Sequence, residues 1–446
     1  MYYVKDKYED DTILVASSLS DETFKMSIDE ARNSDKEIAG VGAKSITVYS
    51  DIEKFVAMMN MRIRLAGVST SSFMLEYGRL AFREDEEQCY VKATNFIHNR
   101  GNVVEVPRYV DALEAKLFGC ALGIDRVILH DNIVALGYGC FEGSSIQEID
   151  IPSKVTQISN AVFSLCSNLK RVSLPSSVKV IGYSAFDACN ALIEINLPDG
   201  LTEIANFAFT RCSSLVFTSL PKSLVSLGTA SLPQVCGEFD LPSIQDIGAR
   251  AFRNSQQLRG VTTGEKLVSL GSGAFWLSGV EHVDMSRSEC LLEIREDTFT
   301  SCTKLKQINL PDSVQKIGDK AFSLCTKLSE FKFPSSLIKI GVEAFKGCPL
   351  TRIEFGNAVT TIGSDAFAQC TKVEEIIFPD SLETIGACAF MNCYNLSSIS
   401  LPASIKKISE LAFSYTNLKK VYLRGGGWSG VEMTDAFDEG VEFIRV

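Results

Sequence analysis

The sequence predicts a repeat solenoid, a right-handed array of coils with one parallel sheet along one side, preceded by a small α+β domain. Three observations predict it. The chain has 446 residues, whereas one hydrophobic core stops growing near roughly 250–300 residues. A short motif recurs in phase through most of the chain. The stretch before residue 103 lacks that motif.

The period is read from the Phe of a recurring Ala-Phe pair. Fifteen anchors run from Phe118 to Phe437, with Leu232 standing in for Phe once, and nine of the fourteen intervals are 23 residues. Self-similarity at such a period marks a stack of supersecondary units that bury their apolar faces against one another. Residues 169–189, 305–325 and 373–393 share the pattern L-x-x-I-x-L-P-x-S-L/V-x-x-I-G-x-x-A-F-x-x-C.

Taken in order, residues 1–102 read as an α+β domain or cap. Residues 12–16 and 45–49 have strand character. Ser50-Asp-Ile-Glu53 is a capping box, and Ile52, Phe55, Val56, Met59 and Ile63 give helical spacing to about residue 65. Residues 103–424 are the solenoid. Within each coil the alternation at Ile308, Asn309 and Leu310 predicts a short strand with one buried face. The following Pro (Pro175, Pro311, Pro379) lacks an N–H and ends the pairing. Val314 and Ile317 cover the other side of the coil. A Gly four before the anchor (Gly182, Gly318, Gly341) suits a tight turn or a left-handed backbone position. Ala-Phe plugs the interior. Residues 425–446 read as a C-terminal cap, with Gly425-Gly426-Gly427 interrupting the pattern, a strand over 441–446, and Trp428 as a lid or a ligand-stacking residue.

The in-phase LP, IG, AF and Cys signals resemble the BspA-like leucine-rich repeat family over roughly residues 103–446. The resemblance implies a leucine-rich-repeat array. It also implies a surface or secreted binding protein, since members of that family mostly engage host proteins or other cells.

The cysteines bear on the compartment. Eight of the 14 lie three residues after an anchor, from Cys166 to Cys393, and Ser144, Ser255, Ser278 and Thr416 fill the same column elsewhere. Ser or Thr replaces a small buried thiol but not half of a disulfide, so the column reads as free thiols. The N-terminus carries acids where a signal peptide needs basic and apolar stretches. The expectation is synthesis in the cytoplasm, with virion or surface location reached by another route.

Composition narrows the chemistry. The net charge is −11, which disfavours nucleic acid and anionic membrane surfaces. No apolar run is long enough for membrane insertion. There is no P-loop, zinc or nucleophile-elbow motif, and His98, His130 and His282 are scattered. No catalytic residue, metal or cofactor is expected.

What remains is surface. Residues flanking the central Ile or Val of each strand point outward, and those two columns hold nine acids, five Lys or Arg and few aromatics. That mixture suits a protein partner, or is a merely solvated face. The least regular coils lie between Leu232 and Phe299. The partner-binding candidates are Trp276, Phe217, Glu238, Asp240, His282 and Asp284. Trp276 follows an anchor in a slot held elsewhere by Asp187, Thr300 or Lys346, so it is either an exposed hot spot or a cover for the shorter coil. The function expected is a non-enzymatic protein-binding scaffold. The alternative is a virion-associated or cell-surface adhesin whose N-terminal domain is an assembly anchor.

Overall fold

The structure, a computed structural model, describes residues 2–6, 12–15, 73–75, 80–85, 90–96, 103–106, 112–113, 115–426, 428–433 and 435–446. The chain divides into two compact units, one of residues 1–198 with 211–215 and the other of 199–210 with 216–446.

In the first unit Tyr2–Asp6, Thr12–Val15, Phe73–Leu75, Leu80–Asp85 and Tyr90–Phe96 form an antiparallel sheet. The strand expected near residue 12 is among them. The strand expected over 45–49 and the helix over 50–65 lie outside the described residues. Tyr90–Phe96 then pairs in parallel with Ala112–Leu113, and that strand with Ala135–Leu136. An exposed solenoid edge is thus covered by hydrogen-bonded strand instead of being left as an open template.

The solenoid coils follow. Val103–Glu105, Arg126–Ile128, Glu148–Asp150, Arg171–Ser173 and Glu194–Ile195 stack in parallel register in the first unit. Each three-residue strand buries a central apolar residue such as Val127 or Val172 between flanking residues that are exposed or half-buried. A second ladder of two-residue strands, such as Gln157–Ile158 on Val180–Ile181, runs beside the expected sheet. In the second unit the corresponding sheet runs from Val216–Phe217 through Gln307–Asn309, and resumes from Arg352–Glu354 to Glu442–Arg445. The last strand is the one expected at the C-terminus. Trp428 is buried there, and its Nε1–H donates to the Arg424 carbonyl at 3.4 Å, which makes it a packed lid.

The anchor phenylalanines form the spine. Phe252, Phe275, Phe299, Phe322 and Phe345 stack with centroids 4.9–5.2 Å apart and nearly parallel planes. Each is fully buried. The turns holding them carry two left-handed residues per coil, two before and two after the ring, for example Ala161 and Leu165 around Phe163. Such a conformation costs a non-glycine residue of order 1–2 kcal/mol. Coil-to-coil hydrogen bonds hold it in place: Ala161, Phe163 and Leu165 N–H groups donate to the carbonyls of Tyr183, Ala185 and Asp187 at 2.7–2.8 Å.

The glycine four before the anchor has a different reason from the expected one. Gly182 and Gly318 are not left-handed. A Cβ on Gly182 would sit 2.8 Å from the Ile158 carbonyl oxygen and 2.9 Å from the Asn160 nitrogen of the preceding coil. The residue is glycine because two backbones pass too closely for a methyl group.

Candidate functional site

Glu238, Asp240, His282 and Asp284 come together on one sheet surface in the second unit. Cross-strand register places Glu238 beside Gly260 and Gly260 beside His282. The adjacent row runs Asp240, Thr262, Asp284 and Asn309. Two long strands, Gln234–Leu241 and Gln257–Thr263, build this surface. They lengthen where one coil is three residues short, because the chain spans the coil in extended form. A register shift between Gly237 and Glu238, with Gly237 at φ +105°, lets Glu238 face outward.

The four side chains differ in setting. Glu238 and Asp240 are exposed. Lys222 Nζ lies 2.8 Å from Asp240 Oδ2, an exposed pair of little energetic weight. His282 lies across Gly260, where a side chain on that residue would collide with the imidazole. Asp284 is half-buried. Burial would lift its carboxyl, but hydrogen bonds from the Ser286 N–H (3.0 Å), the Ser286 hydroxyl and the Asn309 amide outweigh it and hold the group below its ordinary value.

Phe217 does not belong to this surface, which corrects the sequence expectation. It is 5% exposed and meets Phe209 edge-on at 5.2 Å, while Val216 faces solvent. Counting from the usual spacing points Phe217 outward and Thr218 inward. The strand instead starts one residue early, Val216–Phe217, because burying the ring is far more favourable than burying a hydroxyl.

Trp276 is elsewhere on the coil, in the turn after its anchor. It is half-buried, less exposed than expected. The Arg253 guanidinium lies 4.5 Å from the ring centroid and that of Arg250 lies 5.8 Å away. Among the described residues, no hydrogen bond, ion pair or ring contact joins Trp276 to the sheet row. The two arginines were not singled out from sequence. Their signal was present: they stand one coil earlier, in the slots two before and one after the anchor.

A second feature also went unread. Residues 330–333 form no strand, and among the described residues their N–H groups make no backbone hydrogen bond to either neighbouring coil. Phe331 occupies the inward slot held by Ile308 and Ile353 in the flanking coils. Its ring wedges edge-on against Phe322 (5.1 Å), Phe345 (4.8 Å) and Phe333 (4.8 Å). The sheet is interrupted where this ring packs together with that of Phe333, whereas Phe239 alone fills the same slot within a paired strand. An open concavity results, lined by residues that include Gln307, Asn309, Lys332, Arg352 and Glu354. The run Glu330-Phe-Lys-Phe333, with Phe at the inward position, was the legible signal.

The interior chemistry is that of thiols. All eight column cysteines are free and buried. Each donates to the carbonyl of an anchor in the preceding coil, as from Cys166 to Phe141 at 2.9 Å and from Cys348 to Phe322 at 3.1 Å. Burial raises the Cys166 thiol to about 11 and those of Cys212 and Cys302 to about 12. Among the described residues, no group of three or more His, Cys, Asp or Glu could hold a metal ion. Nor is any helix among them long and apolar enough to cross a membrane.

A family model described as a BspA-type leucine-rich repeat region matches in six copies, over residues 92–216, 235–350 and 338–426. Among solved structures, a leucine-rich repeat protein from Bacteroides ovatus is 23% identical, covering 82% of this chain and 98% of its own, with a TM-score of 0.46. A leucine-rich cell surface protein from Faecalibacterium prausnitzii is 20% identical, over 85% and 95% of the two chains, with a TM-score of 0.39. The pneumococcal vaccine antigen PcpA is 16% identical, over 81% and 82%, with a TM-score of 0.39. No curated protein matches the chain.

Proposed function

The chain belongs to the BspA-type leucine-rich repeat family, and from that premise we propose that it is a non-enzymatic protein-binding scaffold whose sheet surface recognises a partner. One observation carries the reading. His282 and Asp284 project from a strand paired on both sides, and Glu238 and Asp240 from a strand paired at their positions with Gln257–Thr263. Side chains held in rigid columns lose little entropy when a partner docks. Three of the four are acidic, which fits a protein with a basic patch. Charge of this kind acts mainly on encounter rate and orientation.

Under this reading residues 103–424 are the binding array, 1–102 its N-terminal domain or cap, and 425–446 its C-terminal cap. Glu238→Lys with Asp240→Lys should slow association with a basic partner and flatten its salt dependence. The melting temperature should be unchanged, since both carboxylates are exposed. Stopped-flow association at two salt concentrations reads the effect. Unchanged association with a partner that binds the intact chain would move the binding surface off this row.

A further inference from the structure

The turn surface around Trp276 has a chemistry opposite to that of the acidic sheet row. Its slot holds Asp187, Thr300, Ser323 or Lys346 in other coils, and here it holds a half-buried indole. Arg253 and Arg250 approach the ring at 4.5 and 5.8 Å. Arg250 reaches it across Gly273, whose φ is +62°. A Cβ there would lie 3.6 Å from both Arg250 Cγ and Trp276 Cβ, so any longer side chain would fill the space between them.

Both arginines are exposed, and among the described residues neither makes an ion pair. Arg259, Arg295 and Arg445 likewise make none among the described residues, so what sets Arg250 and Arg253 apart is that both guanidiniums approach one indole. Arg171, Arg211, Arg287 and Arg352 all hold carboxylates at 2.6–3.1 Å. The acids of the next coil are otherwise engaged: Glu296 accepts from the Ser272 hydroxyl at 3.1 Å, and Asp297 from the Thr300 hydroxyl at 3.1 Å.

We infer that the Trp276, Arg250 and Arg253 surface docks an acidic segment of a protein partner. A guanidinium presents a planar fork of donors that matches a carboxylate in bidentate geometry. The indole supplies apolar area beside it and is a frequent hot-spot residue. Two guanidiniums match a short run of two or three carboxylates. A long polyanion such as nucleic acid would meet the net negative charge of the remaining surface. The inference does not rest on the sheet-surface reading, because the residues that carry it share no contact with Glu238 or Asp240.

The test is a titration of the full chain with an octaglutamate peptide, followed by tryptophan emission. Octalysine and a dT octamer run beside it. Octaglutamate should give a saturable change that is absent in Trp276→Phe, which assigns the signal. Arg250→Gln with Arg253→Gln should weaken binding at least about tenfold and leave the melting temperature unchanged. Rising salt should weaken binding as well. The inference is overturned if octaglutamate gives no saturable change, or if the double arginine variant binds it equally well. A tighter Trp276-dependent titration with octalysine or the dT octamer would also overturn it, whereas octalysine binding that leaves Trp276 emission unchanged belongs to the acidic sheet row. The variants leave Glu238 and Asp240 intact, so failure here does not bear on the sheet surface.

Discussion

The Cys325 thiol donates to the Phe299 carbonyl of the preceding coil at 3.2 Å. The same bond recurs from Cys348 to Phe322 and from Cys370 to Phe345. The ladder ties the small residue of each turn to the anchor below it. It satisfies a carbonyl in the interior with a donor small enough to be packed as an apolar residue.

Because the column thiols are free, denatured and unreduced protein should show them titratable with Ellman's reagent. Cys325→Ser should retain the fold, since Ser holds the same slot at 144, 255 and 278. Cys325→Leu should lower stability by about 1–3 kcal/mol through overpacking. Bridged column cysteines, or equal melting temperatures for the two variants, would refute the ladder.

The raised thiols give a pH dependence with a definite sign. Folded values near 11 to 12 stand above the ordinary value of 9. The folded state therefore keeps protons that the unfolded state releases. The contribution is fully present below pH 9 and is lost as pH rises from 9 towards 12, at up to about 1.4 kcal/mol per pH unit for each thiol. In urea melts at pH 8 to 11, Cys302→Ser should show a shallower fall than the unsubstituted chain. An identical slope would mean the thiols ionise freely in the fold.

Ser255 Oγ is fully buried without a hydrogen-bond partner. Ser255→Ala should raise stability by about 1 kcal/mol, because an unsatisfied hydroxyl costs more than the methyl-sized gap left by its removal. A fall in melting temperature would show that the hydroxyl is satisfied after all.

Phe322→Ala should cost about 3–5 kcal/mol, since the ring is fully buried between two stacked neighbours. Phe331→Ile should act differently. It removes the wedge and lets residues 330–332 pair with the Gln307–Asn309 strand. Amide exchange at Lys332, whose N–H makes no backbone hydrogen bond among the described residues of the unsubstituted chain, should slow. Continued fast exchange would place the cause of the break elsewhere.

Gly182→Ala should destabilise by about 1–3 kcal/mol, because the added methyl group meets the Ile158 carbonyl and the coils must separate. Thermal melts read this directly. A neutral substitution would refute the close-approach account.

Much of the architecture was legible before any coordinate. The Ala-Phe ruler located the buried spine, and Ser and Thr in the Cys column pointed to free thiols. The glycine of each turn was seen, but its reason was not. A backbone can need glycine for its own dihedral or for a neighbour's proximity, and only the preceding coil distinguishes the two. The candidate surface was legible in part. Alternation set Glu238, Asp240, His282 and Asp284 outward, whereas Phe217 broke the count because ring burial outweighed regular spacing.

The sequence by itself determined the repeat, its period and which residue of each coil fills the interior. These follow from one coil at a time, since a side chain's polarity and its phase in the motif decide whether it can be buried. Tertiary structure alone decided what lies side by side across coils. It placed Arg250 and Arg253 against Trp276, and it broke the sheet where Phe331 wedges between Phe322 and Phe345. Such contacts cross from one coil to the next, as from Arg253 to Trp276 and from Phe322 to Phe331, and their outcome depends on size, rotamer and backbone spacing, which no single repeat specifies.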